Sequence, residues 1–354
     1  KPLGVIGCVM PSTNPLATII GNTMMALKCR NAVIIAPHPA SANVSELAVN
    51  YIRSALAEIS APVDLIQCIG VEEASIEATQ EMLKQCDANI ATGGAGMVKS
   101  VYSAGRPAFG VGQGNCQEII DIDFTNLDAV AKASISNRSF DLGVPCTGDQ
   151  TMHIPAEREK EYLDAMTKNG AYLIKEIEQI NKIRELLFPN GSLAINRELV
   201  GKTPHQIGKL LSIDIPDSYK VILFKNQAKG KEDLLCKEIL SPIIRYRTYI
   251  DFEEGVDAAI SNLEFEGAGH SSSIWSNNQE HVDYVANIIP VGRFHVNQPT
   301  GGANNGTSPA ITIGCGSWGN NSISENLSFT HLMNKTRVTT VLQKRKAFVP
   351  ADWD

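Results

Sequence analysis

Leu3-Gly-Val-Ile-Gly-Cys-Val9, Pro11-Ser-Thr-Asn-Pro15 and Asn31-Ala-Val-Ile-Ile-Ala36 together decide the fold. The first and last are short apolar runs of strand length. Residues 15–29 read as a helix opened by a proline, whose fixed φ suits a first turn. Strand, crossover helix and strand make a βαβ unit with parallel strands. The alternation continues with helices expected at 45–60, 76–85 and 97–104 and strands at 63–69 and 88–92. The fold class is therefore α/β, a parallel sheet with helices on its faces and ligands expected outside the strands' carboxyl ends.

The pattern restarts after Phe109. Residues 116–121, 151–154, 221–224 and 243–249 read as strands, and 126–140, 157–169 and 252–262 as helices. A second α/β domain is expected from about Gly112, dividing the chain into 1–111, 112–330 and a C-terminal return segment at 331–354. The glycine-rich Gly110-Val-Gly-Gln-Gly-Asn115 lacks the G-x-G-x-x-G spacing, so a tight interdomain crossing is favoured over a phosphate cradle.

Composition bounds the function. The 354 residues, 43% hydrophobic and 19% charged, can bury cores for two domains. A net charge of −7, with no basic run beyond Lys344-Arg345-Lys346, argues against a nucleic-acid partner. The eight cysteines include no C-x-x-C pair and no histidine spacing of a zinc site, so no metal is expected and a reducing cytoplasm is. No apolar run reaches the roughly 20 residues that span a bilayer. The absence of an initiator Met before Lys1 leads us to expect further chain upstream.

One cysteine sits where chemistry is expected. Phe140-Asp-Leu-Gly-Val-Pro-Cys146-Thr-Gly-Asp-Gln150 places it in a Gly/Pro turn between a helix and a strand. Thiolate is the attacking species, and with an ordinary pKa of about 8.5 it needs backbone N–H groups or positive charge nearby. Cys146 is the expected nucleophile.

Four segments, Pro11-Ser-Thr-Asn-Pro15, Thr92-Gly-Gly-Ala-Gly-Met-Val98, the Cys146 turn and Glu238-Ile-Leu-Ser-Pro242, resemble the aldehyde dehydrogenase superfamily in order and spacing. A fifth, Gly314-Cys-Gly-Ser-Trp-Gly-Asn-Asn-Ser-Ile-Ser-Glu-Asn326, is similar to the CoA-acylating branch, especially CoA-dependent succinate-semialdehyde dehydrogenases and the aldehyde half of bifunctional aldehyde-alcohol dehydrogenases. The resemblance implies two Rossmann-like three-layer αβα domains with a short oligomerisation strand, 1–111 binding the dinucleotide and 112–330 being catalytic. It also implies NAD (or NADP) as cofactor, and a cysteine that captures an aldehyde and becomes a thioester after hydride transfer.

Residue by residue, the resemblance places Pro11, Ser12 and Thr13 at the cofactor, Gly93 and Gly94 at its pyrophosphate, and Glu238 and Leu240 at the nicotinamide ribose. A surface Glu is the alternative at 238. The family's oxyanion Asn falls on Thr13 here, with Asn14 one place later; Asn14 either lines the pocket or caps the following helix. Where relatives carry a Lys and a Glu for the adenosine ribose, this chain has Ala36-Pro-His-Pro39. His38 there either touches ribose or phosphate or is a surface residue.

Hydrolytic relatives carry a Glu-Leu-Gly-Gly-Lys motif whose glutamate activates water. Gly110-Val-Gly-Gln-Gly114 aligns with it, and glycine accepts no proton. Since general-base help is typically worth about 10²–10⁴-fold, an acyl-enzyme without it persists toward water, and a thiol acceptor suffers less. CoA is therefore the expected co-substrate, unless Glu118 replaces the base. His270 in Glu266-Gly-Ala-Gly-His-Ser271 resembles a histidine of the acylating branch, able to take the CoA proton; a loop histidine satisfied by backbone is the alternative. Arg138 either pairs with an aldehyde's distal carboxylate or sulfonate or makes a helix-surface ion pair. Acetaldehyde, succinate semialdehyde and sulfoacetaldehyde all remain open. A homodimer or homotetramer is implied, with the β-branched residues 337–342 as an edge or internal strand.

Overall fold

The structure is a computed structural model that describes residues 1–301 and 310–341. Its first layer runs β1 (Val5–Val9), α1 (Pro15–Lys28), β2 (Ala32–Ala36), α2 (Ala42–Glu58), β3 (Ile66–Cys68), α3 (Ile76–Gln85), β4 (Ala88–Thr92), α4 (Ala95–Tyr102) and β5 (Ala108–Val111). These strands form one parallel sheet in the order β3-β2-β1-β4-β5. The order reverses direction between β1 and β4, the crevice where open sheets of this kind bind ligands.

The chain continues through β6 (Gln117–Ile120), α5 (Leu127–Ser139), β7 (Thr151–Pro155), α6 (Glu159–Lys168), β8 (Ala171–Ile174), α7 (Ile177–Leu187), α8 (Pro204–Leu211), β9 (Val221–Lys225), β10 (Ile243–Tyr249), α9 (Phe252–Phe265), β11 (Gly269–Trp275), α10 (Gln279–Ile288) and β12 (Val291–Val296). Its seven strands form a second parallel sheet, β12-β11-β6-β7-β10-β9-β8. Helices cover both sheets, so the strands are apolar on both faces, as in β9, Val-Ile-Leu-Phe-Lys, buried over its first four residues. Each fully buried Ile, Leu or Phe contributes about 1.5–3 kcal/mol relative to an exposed one.

The glycine-rich segment is the crossing. β5 ends at Val111 in the first sheet and β6 begins at Gln117 in the second. The carboxyl end of the first sheet is thereby joined to the amino end of the second. The returning C-terminal chain packs on the first sheet, where Leu327 and Leu332 enter its core and Asn31 Nδ2 donates to the Leu332 carbonyl at 2.9 Å.

Two expectations need correction. Residues 63–69 hold a single 3₁₀ turn, Val63–Leu65, before the short β3, because the chain following Pro62 winds before it pairs. Residues 337–341 form no internal strand: they find no partner among the described residues, and Val338 and Val341 are 87% and 93% exposed. Leu342 and Lys344-Arg345-Lys346 lie outside the described residues. Among the described residues no helix is long and apolar enough to cross a membrane.

Candidate active site

Cys146 stands in a tight turn, with the Gly148 N–H donating to the Pro145 carbonyl at 3.1 Å. The turn is entered through three consecutive residues of left-handed backbone, Asp141, Leu142 and Gly143, with φ of 45°, 55° and 73°. For non-glycine residues this conformation costs about 1–2 kcal/mol each, strain of a kind that clusters at functional sites. Gly143 is required twice over, since a Cβ there would also collide with the Ser241 carbonyl.

The turn is held from beneath. Arg138, fully buried on α5, donates through Nε to the Ile243 carbonyl at 3.1 Å and through Nη1 to the Gly148 carbonyl at 3.4 Å. Its Nη2 has no partner among the described residues. Asp149 accepts from the Thr300 backbone N–H and hydroxyl and from Asn137, closing the turn's far end. A helix-surface ion pair for Arg138 is thus excluded: the side chain points into the interior and anchors main chain.

Opposite the turn, His270 at the start of β11 places Nε2 3.1 Å from Cys146 Sγ. The two candidates, 124 residues apart in sequence, form one pair. A histidine satisfied by loop backbone is excluded, because the ring meets the thiol and its Nδ1 has no partner among the described residues. Burial, then Arg293 and His295, push the imidazole down to about 3. Burial, then Glu238 and Cys315, push the thiol up to about 12, opposed by Arg293 and by the cysteine's own backbone N–H. The resting pair is therefore neutral thiol against neutral imidazole, and no standing ion pair.

Gly114 forms the third wall. A Cβ on it would collide with the Cys146 carbonyl, so the crossing must be bare where it passes Cys146. Its N–H donates to Glu238 Oε1 at 3.0 Å. Glu238 is buried, not a surface residue; burial and the neighbouring Glu266 raise its carboxyl to about 8. Glu266 accepts from the Glu238 N–H at 2.8 Å and pairs with Lys237 at 3.0 Å, fixing the segment that carries the carboxyl. Leu240 is half-buried two residues on.

Glu118 does not serve this site. Its carboxylate accepts from Ser134 Oγ and Trp275 Nε1 deep in the second sheet. Gly110 has no side chain, and its N–H donates to the Tyr102 hydroxyl at 2.9 Å.

Cys146, His270, Gly114 and Glu238 lie at the amino ends of β7, β11, β6 and β10. The carboxyl ends of the first sheet supply the cofactor candidates. Asn14 stands at the N-cap of α1 yet makes no capping bond; its Oδ1 accepts from the Thr13 hydroxyl at 3.1 Å, so the helix-cap alternative fails. Pro11 is buried and Ser12 exposed just before it. Gly94 is the N-cap of α4, again without a side-chain cap. Neither helix has an acidic residue in its first turn.

Two open helix N-termini flank the β1/β4 crevice, and the buried Thr92 Oγ1 at the end of β4 has no partner among the described residues. Free N–H groups and helix dipoles there suit a pyrophosphate. The Gly93 N–H is the exception, since it donates to the Val111 carbonyl at 3.2 Å and continues the sheet. His38 is half-buried, with Nδ1 accepting from the Ala40 N–H at 3.1 Å. Burial and Arg197 lower its pKa, leaving it neutral.

Sequence reasoning missed Arg293, Cys315, Glu266 and the approach of Gly114 to Cys146. Gly114 had a signal, a glycine where the hydrolytic motif has Lys. Arg293 and Cys315 had none, because their positions depend on which strands become neighbours.

The comparisons agree with this geometry. Residues 1–176 match the aldehyde dehydrogenase family. The acetylating succinate-semialdehyde dehydrogenase of Clostridium kluyveri is 42% identical over 96% of this chain and 74% of its own length. An acetylating aldehyde dehydrogenase from Geobacillus thermoglucosidasius superposes with a TM-score of 0.92 at 32% identity, over 98% of this chain and 77% of that one. A Rhodopseudomonas palustris propionaldehyde dehydrogenase, solved with bound CoA and an acylated cysteine, superposes with a TM-score of 0.85 at 27% identity, over 94% of this chain and 74% of that one. The chain belongs to the aldehyde dehydrogenase family, and within it to the enzymes that acylate CoA. It is an oxidoreductase that uses NAD(P).

Proposed function

We propose that this enzyme carries out aldehyde + CoA + NAD(P)⁺ ⇌ acyl-CoA + NAD(P)H + H⁺ through a covalent cycle on Cys146. The observation that carries the reading is the 3.1 Å approach of Cys146 Sγ to His270 Nε2 beside a crossing segment that has glycine where hydrolytic relatives hold a base. Cys146 Sγ attacks the aldehyde carbon while its proton moves to His270 Nε2, giving a thiohemiacetal whose oxygen is met by the Asn14 amide and the Cys146 N–H. Nicotinamide, when bound, would supply the hydride acceptor for oxidation of this adduct to a thioester. His270 releases that proton to solvent, takes the CoA thiol proton as the CoA sulfur attacks the thioester, and returns it to Cys146 Sγ as this sulfur leaves, so one thioester replaces another without loss of acyl activation.

Pro11, Ser12, Thr13, Gly94 and the N-termini of α1 and α4 hold the cofactor's phosphates, and Glu238 and Leu240 hold the nicotinamide ribose. Gly93 adds no donor there, since its N–H is taken by the Val111 carbonyl. Ala36-Pro-His-Pro39 offers no carboxylate at the end of β2, so nothing there repels a 2′-phosphate and both NAD and NADP are accepted. The substrate is a short aldehyde with a distal carboxylate, as the Clostridium relative's name suggests. Arg138, being turned inward, anchors the catalytic turn and does not read that anion. Eight free thiols suit a reducing cytoplasm, and the exposed Val338 and Val341 suit pairing between copies in a homodimer or homotetramer.

The test is NADH formation from succinate semialdehyde, acetaldehyde and sulfoacetaldehyde, with and without CoA, in wild type and Cys146→Ser. Sustained turnover only with CoA and only in wild type is expected. Turnover by Cys146→Ser would remove Cys146 as nucleophile.

A further inference from the structure

A catalytic base is ordinarily oriented by a third group bonded to its far nitrogen, and among the described residues no such group meets His270. His270 Nδ1 is buried with no partner among the described residues, so nothing holds the ring from behind. The residue is instead held by its main chain. Arg293, adjacent on β12 and 8% exposed, donates through Nη2 to the His270 carbonyl at 2.7 Å and the Gly269 carbonyl at 3.2 Å. Its Nη1 donates to the Gly314 carbonyl at 2.9 Å, and its Nε to Ser271 Oγ at 3.3 Å.

We infer that Arg293 is the positioning residue of the Cys146–His270 pair, taking through the backbone of β11 the part that a carboxylate takes in a Ser-His-Asp triad. The inference rests on Cys146 and His270 being the reacting pair. The planar fork suits the task, since one guanidinium reaches three carbonyls and a hydroxyl at fixed angles, which an ammonium does not. The register of β11 against β12 sets Ser271 opposite Arg293 and Ser273 opposite His295, so the fork lies one residue from His270.

The choice of a cation has a chemical consequence. A carboxylate behind the ring would favour imidazolium, whereas a guanidinium disfavours it and favours thiolate. The groups facing Cys146 are His270 on β11, Arg293 on β12, Glu238 before β10, Cys315 in the Gly314 loop, and Cys116, whose Sγ donates to the Cys146 carbonyl at 3.3 Å. Those facing His270 are Arg293, His295 and the thiol itself. Arg293 is the side-chain charge in this set that helps the thiol ionise, and by the same sign it keeps the resting imidazole neutral.

The test compares wild type, Arg293→Gln and Arg293→Lys by the pH dependence of Cys146 alkylation with iodoacetamide, read by mass spectrometry, with nucleotide binding as the check on folding. In Arg293→Gln the alkylation midpoint should rise by on the order of one pH unit. Arg293→Lys should keep the wild-type midpoint while turnover falls, because charge survives and the fork does not. Unchanged midpoint and turnover in Arg293→Gln would overturn the inference. Should Arg293→Gln fail to fold, Arg293→Lys decides: a wild-type alkylation midpoint with reduced turnover supports the inference, and wild-type turnover overturns it. Failure of the underlying reading shows separately, as turnover by Cys146→Ser.

Discussion

Replacing His270 by Gln removes the proton acceptor while leaving an amide able to reach the thiol. The substitution breaks the 3.1 Å hydrogen bond between Nε2 and Cys146 Sγ, and among the described residues no other side chain bonds that sulfur. General-base assistance is worth about 10²–10⁴-fold, or about 2.7–5.4 kcal/mol in activation free energy. Both half-reactions should feel it, because the same nitrogen serves Cys146 during attack and CoA during release. Stopped-flow NADH formation without CoA reports the first half, and acyl-CoA formation from pre-acylated enzyme reports the second. Because the imidazole is held down to about 3, the wild-type rate should not fall as pH drops through 6.5. If both half-reactions of His270→Gln ran near the wild-type rate, the assignment of His270 would be refuted.

Glu238→Gln should make Cys146 easier to ionise, since Glu238 is the foremost charge raising the thiol; alkylation above pH 8, where the native carboxyl is charged, should quicken. The same substitution should flatten the pH dependence of stability. A carboxyl raised from 4.5 to about 8 favours the fold below 4.5 and loses that contribution as pH rises through 8, so the wild-type melting temperature should decline over this window more than the variant's. His270 works in the opposite sense. Held neutral, it costs stability as pH falls from 6.5 toward 3, so His270→Gln should lose less melting temperature on acidification. Gly114→Ala sets a methyl 3.0 Å from the Cys146 carbonyl carbon and 3.2 Å from its Cβ. It should cost about 1–3 kcal/mol in thermal unfolding. If the turn shifts by about 1 Å, kcat/KM should fall about 10²-fold while nucleotide binding persists.

The first sheet was legible because its strands are short apolar runs separated by recognisable turns, and β1, β2 and β4 appear within two residues of their expected ends. The Cys146 turn was legible for a different reason: proline and glycine around a cysteine have few structural explanations. β11 was not legible. Gly-His-Ser-Ser-Ser-Ile-Trp shows no apolar run, yet all seven residues are buried, with Ser271, Ser272 and His270 finding partners on neighbouring strands and loops. Losing β11 and β12 from the sequence reading also hid Arg293, whose bonds run to main chain and leave no pattern in the side chains. Arg138 misled for a related reason. Helical periodicity locates a face but says nothing of the buried carbonyls of Ile243 and Gly148 that the side chain reaches across the fold.

The most direct measurement of the account is the fate of the acyl group on Cys146 when aldehyde and NAD⁺ are supplied and CoA is withheld. Intact-protein mass spectrometry should find a stoichiometric acyl adduct on Cys146 that outlives one burst of NADH and disappears when CoA is added. Continuous NADH formation with free carboxylate and no accumulating adduct would contradict it.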